Sequence, residues 1–366
     1  MPKSLSAPKN PEFLVGAVAA MRLLSGERQP RNQPEQEVLA RLQSLDLKPE
    51  VAKRLVAAFD ARPEADRRNL LGRFADKSHV LEGMAPSASP NVVVRDHRNG
   101  ASSGGTTDAA STSRTGSASG TVGPLSGEAT RDGVLPGISY TVRYQGLWCQ
   151  KETHPDLPGS DEPYVITSGI AINNGVNATI DTLVHPFNTH DKYYDDVDSQ
   201  EARVGPVAAV YRGSPDTLSL AVVLMEHDEG KPDYYRDEID TFVKGAIAVA
   251  SKYWPPAAVL SFFKDNIVDA INWVLDTGDD VISSEVAVWE RSALEALAIQ
   301  TPGEYQGTKR ELIPSPTGGF PTYGPVVNAP TGLFVHFVTK HHGDGAEYVV
   351  GFDIVRDPPR PGPVIL

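Results

Sequence analysis

The sequence predicts a mainly β protein: an antiparallel β-sandwich with a helical insertion, preceded by a small helical domain and a disordered linker. Three observations predict it. From Ile138 onward apolar and polar side chains alternate, as in Tyr140, Val142 and Tyr144 against Thr141, Arg143 and Gln145. Residues 10–82 instead carry apolar stripes at helical spacing. Between them, Asn99 to Gly133 is mostly Gly, Ser, Thr and Ala, too poor in apolar side chains to offset the entropy of ordering.

In the helical part, residues 10–82, Phe13, Val15, Val18, Met21 and Leu24 form a first stripe. Leu39, Leu42 and Leu45 form a second, and Val51, Leu55 and Phe59 a third that starts after Pro49. Pro63 is placed to open a fourth helix carrying Leu70, Leu71 and Phe74. Nothing here suggests chemistry, so packing or docking of a protein partner is the expectation. Residues 85–135 are expected to be a flexible linker, within which Asn91 to Val94 is apolar enough to dock as a short strand.

Residues 136–356 are expected to form the β domain. Predicted strands are Tyr164 to Ile172, Val204 to Arg212, Leu218 to Glu226, Val281 to Glu290, Leu333 to Lys340 and Tyr348 to Val355. The last two flank His342 to Gly345, a hairpin turn. Asp237 to Leu275 breaks the pattern with two helical stretches divided at Pro255 and Pro256. The insertion, about 229–276, must cover a sheet face, bind a partner or meet a membrane. Trp254, Phe262, Phe263 and Trp273 would suit a membrane interface.

The bulk numbers set limits. A net charge of −13 and a pI near 5.2 disfavour a nucleic-acid partner, whose phosphates need a basic surface. Cys149 is the single cysteine, which excludes an intrachain disulfide. The apolar run Phe13 to Met21 reads as a helix rather than an export signal, and localisation stays open. No phosphate loop, dinucleotide fingerprint, hydrolase elbow or His-Glu-x-x-His occurs, so catalysis is not expected.

Three acidic stretches carry the chemistry. The first is His154-Pro155-Asp156-Leu157-Pro158-Gly159-Ser160-Asp161-Glu162-Pro163-Tyr164-Val165, between two predicted strands. In the second, the apolar strand Leu220 to Met225 runs into Glu226-His227-Asp228. The third, Thr277-Gly278-Asp279-Asp280-Val281-Ile282, opens another strand. Together they resemble the calcium-binding loops of C2 domains. Asp156, Gly159 and Pro163-Tyr164-Val165 stand at the first loop's positions. Glu226 replaces the first Asp of the third loop, and Asp228 matches the second. Ser283 stands where that family usually has Gly. The resemblance covers roughly 138–355 and implies a C2-like antiparallel sandwich with the helices inserted in the third loop. It also implies Ca2+ held by Asp156, Asp161 or Glu162, Glu226, Asp228, and Asp279 and Asp280, with Asp233 or Asp237 as the alternative closing ligand.

The residue types fit that ion on their own, because calcium takes six to eight oxygens, mostly from carboxylates and carbonyls. The expected function is a calcium-binding module that recruits a membrane surface or a protein partner. The alternative is an effector-type cargo protein with the β domain as its structural body.

Overall fold

The computed structural model describes residues 11–71, 92–95, 138–153, 161–187, 191–227, 232–274, 281–299, 334–343 and 345–357, with three short pieces between 303 and 324. Four helices come first: α1 (Pro11–Leu24), α2 (Gln33–Ser44), α3 (Pro49–Ala61) and α4 (Glu64–Leu71). Local chemistry sets their starts. The Asn32 side chain accepts the Glu35 N–H at 2.9 Å, while the Glu35 carboxylate accepts the Arg31 N–H at 2.9 Å. Pro49 opens α3 at a position that needs no N–H.

Strand β1 (Val92–Arg95) follows, then β2 (Ser139–Lys151), β3 (Pro163–Asn173), β4 (Val176–His185), β5 (Ala202–Gly213) and β6 (Thr217–Glu226). Helices α5 (Pro232–Tyr253) and α6 (Pro256–Val274) come next, parted at the expected prolines. Strand β7 (Val281–Glu290) and helix α7 (Arg291–Ala298) precede four short strands. Of these, β8 (Gly303–Glu304) pairs with β11 (Phe334–Val335), and β9 (Glu311–Ile313) with β10 (Thr322–Gly324). Strands β12 (Phe337–Gly343) and β13 (Ala346–Asp357) make the closing hairpin.

Two open sheets result. Sheet A runs β1-β4-β3-β6-β7, antiparallel except for β1, which joins β4 in parallel. Sheet B runs β12-β13-β2-β5 and is antiparallel throughout. The sheets face each other across a core that includes Tyr144, Val165, Leu220, Val222, Leu224, Tyr348 and Phe352. The other face of sheet A, through Tyr164, Ile166, Ala221, Val223 and Met225, shares a second core with α1, α2, α3, α5 and α6.

This corrects the expectation of a mainly β, C2-like sandwich. Among the described residues, helix holds 39% and strand 42%, so the architecture is mixed α/β. The physical reason is coverage. Helices α5 and α6 do not project from a loop: they roof sheet A, and α1 is buried beside them. Strands β3 and β6 are therefore buried on both faces along nearly their whole length.

A buried polar seam fixes the roof. Lys244 of α5 reaches Asp181 of β4 at 3.1 Å and Asp240 at 2.9 Å. Burial opposes its charge, but the carboxylates of Asp240 and Asp181 outweigh that and hold the ammonium above its usual range. Asp240 also accepts the Thr182 N–H at 3.2 Å, and Asn177 donates to Ser251 at 3.0 Å. Among the described residues, no helix is long and apolar enough to cross a membrane.

Candidate functional site at the acidic rim

One rim of the molecule gathers the ends of several strands. Pro163, at the start of β3, pairs with Glu226 at the end of β6, and Met225 pairs with Val281 at the start of β7. On sheet B, the end of β2 at Lys151 pairs with Glu347 near the start of β13. Residues 191–201 fold over this rim: Tyr194 N–H donates to Pro163 O at 2.9 Å, and Val197 N–H to Asp161 O at 2.9 Å.

The predicted ligands fall into two groups. Asp156, Asp228, Asp279 and Asp280 lie outside the described residues. Asp161, Glu162 and Glu226 are described, and each sits at this rim. Asp161 and Glu162, adjacent in sequence, are used differently. Asp161 is only 3% exposed. Its Oδ1 accepts the Thr153 hydroxyl at 2.5 Å, while its Oδ2 accepts the Thr153 N–H at 2.9 Å and the Tyr348 hydroxyl at 2.6 Å. It thus anchors the β2–β3 connection to sheet B. Burial, the nearby Cys149 and Asp161 push the Tyr348 phenol far above its usual range. Burial likewise pushes the Cys149 thiol up to about 12, so it is an inert core thiol.

Glu162 points the other way, with 37% of its side chain exposed. Its Oε2 lies 3.2 Å from His227 Nδ1, and its carbonyl accepts the His227 N–H at 3.1 Å. An ionised carboxylate only accepts, so Nδ1 is the donor in this contact. Tyr193 stacks on the imidazole, ring centroids 4.3 Å apart. Desolvation first, then the charges of Glu162, Asp191 and Asp195, raise the Tyr193 phenol. The sequence reading named Glu162 but not its partners. His227 was visible inside the Glu226-His227-Asp228 run, whereas nothing in the sequence joins Tyr193 to it.

Cations answer the acidic residues on two sides. Lys192 pairs with Asp233 in the first turn of α5, and Arg236 reaches Asp233 at 3.1 Å. Arg203 pairs with Glu201 at 2.5 Å. Among the described residues, no cluster of three or more His, Cys, Asp or Glu side chains is arranged to hold a metal. Of the preferred predicted ligands, the described part supplies two half-buried carboxylates, Glu162 and Glu226, on neighbouring strand ends. Their strand ends are adjacent, and the register sets Glu226 opposite Pro163 and Glu162 beside His227. No protein-family model matches the chain, and no curated protein is similar to it in sequence, so the character of the site rests on its own residues.

Proposed function

We propose that the acidic rim binds calcium, and that the loaded rim recruits an anionic surface or a partner protein without doing chemistry itself. The observation that carries this is the strand register. The chain enters or leaves all three acidic stretches at adjacent strand ends: Glu162 before β3, Glu226 at the end of β6, and Val281 at the start of β7. Asp228 is two residues beyond Glu226 in sequence, and Asp280 is one residue before Val281. Carboxylates gathered on one rim repel each other unless a cation sits among them. A hard divalent ion needing six to eight oxygens is the chemistry such a set fits.

Calorimetry and thermal unfolding with calcium, with magnesium as the comparison, test the proposal. At a calcium concentration about 100 times the dissociation constant, the fold gains about 2.7 kcal/mol, and the melting point rises. Glu162→Gln with Asp228→Asn should remove the shift and leave the calcium-free melting point nearly unchanged. The absence of both heat and shift at millimolar calcium would end the proposal. Sedimentation with phosphatidylserine vesicles, with and without calcium, then separates a lipid surface from a protein partner.

A further inference from the structure

Helix α1 is buried around its circumference. Phe13, Leu14, Ala17, Ala20, Met21 and Leu23 are each at most 2% exposed. A helix with no polar face needs neighbours on every side, and α2, α3, α5 and α6 supply them. The approach is close. A Cβ on Gly16 would meet Val249 of α5 at 3.1 Å, and one on Gly245 would meet the tip of Met21 at 2.1 Å. Phe13 lies against Phe262 of α6, ring centroids 6.4 Å apart.

Charge gives this contact a polarity. At the start of α5, Lys48 reaches Asp237 at 2.6 Å and Arg54 reaches Glu238 at 3.4 Å, with the Arg54 guanidinium 4.4 Å over the Tyr234 ring. At the end of α5 the signs reverse, and Lys252 pairs with Glu37 of α2. Acidic residues near the first turn of α5 and a basic one in its last also suit the helix dipole. The N-terminal helices thus read α5 in one direction only.

We propose that the α5–α6 face is a helix-receiving interaction surface and that residues 11–71 are its ligand, held by packing and charge rather than by covalent connection. The partner it fits is an all-round apolar helix flanked by a helix with basic residues at one end. In this chain that partner is its own N-terminal segment.

The test uses the full chain with a protease site, flanked by Gly-Ser spacers, inserted between Gly83 and Met84. After cutting, the two pieces should elute together in gel filtration. A fluorescent synthetic peptide of residues 8–71 should then exchange into the cut complex. Lys48→Glu with Arg54→Glu reverses two partly exposed charges, of which Arg54 pairs with the buried Glu238. It should weaken the association about tenfold. Two results overturn the proposal. In one, the pieces separate on cutting while the body stays folded. In the other, they stay together, reject the peptide and ignore the charge reversal, as an inseparable core layer would.

Discussion

Sheets A and B differ in what covers them. Sheet A has helices on one face and sheet B on the other. Its inner strands accordingly read almost without polar interruption, as in Leu220 to Met225 of β6. Sheet B packs one face against sheet A. Its edge strand β5 leaves Val204 and Val207 about half exposed, at 53% and 50%, with the exposed Pro206 between them. A continuous apolar strand signals two covered faces, and an alternating one signals a single covered face. The buried ionisable groups differ too. Between α5 and sheet A they form an ion-paired seam around Lys244. Where the sheets meet, two histidines are buried. His185 stacks on Tyr144 of β2 with ring centroids 4.2 Å apart, and His341 Nδ1 lies 3.4 Å from Ser283 O of β7.

The sharpest way to break this contrast is to damage each core separately. Phe242→Ala opens the helical core and Phe352→Ala the core between the sheets, each costing about 3–5 kcal/mol. Both should lower one common urea transition, seen alike by far-ultraviolet circular dichroism and tryptophan fluorescence. Two transitions, each moved by only one variant, would show that the layers fold independently. The seam comes next. Lys244→Met leaves Asp181 and Asp240 without their cation and should cost about 3 kcal/mol or more, because an unpaired buried charge remains.

Acid should act where the sheets meet. Burial lowers both His185 and His341 to about 3, so the folded protein keeps them neutral while the unfolded chain protonates below about 6.5. Their stabilising effect is complete above that unfolded value and is lost as pH falls from 6.5 towards 3. Each histidine contributes a slope of up to about 1.4 kcal/mol per pH unit. Urea midpoints at pH 7, 6 and 5 should flatten in His185→Asn with His341→Gln; an unchanged slope would place the acid-sensitive groups elsewhere. The smallest effect is expected at Arg143, whose pair with Asp353 on sheet B is 39% exposed on the arginine side. Arg143→Ala should cost about 1–3 kcal/mol in the same assay, since it leaves the buried Asp353 carboxylate without its two Arg143 hydrogen bonds.

Much of the secondary structure was legible. Three N-terminal stripes, a fourth helix whose expected Phe74 lies outside the described residues, the proline break between α5 and α6, and the β12–β13 hairpin appear near their expected positions. The apolar patch near Asn91 pairs as β1 with the edge of sheet A. Strand β4 was missed because its roof-facing residues Asn177 and Asp181 are polar and bond to Ser251 and Lys244, which hides the apolar pattern. The turn before it carried a signal. Asn174 and Gly175 both have positive φ, +49° and +70°, as a two-residue Asn-Gly hairpin requires. At the rim, the acidic character and Glu162 were legible, but the inward turn of Asp161 was not. Its partners Thr153 and Tyr348 stand on separate segments that only folding brings together.

By itself the sequence determined where helices and strands form, because periodicity, proline and caps act over a few residues. It also determined that the chain is acidic and that its carboxylates cluster beside strand ends. Only the tertiary structure decided that the inserted helices roof a sheet, that α1 sits buried within that roof, and which of two adjacent carboxylates turns inward. Those outcomes depend on which apolar faces meet, and the meeting faces come from segments far apart in the chain.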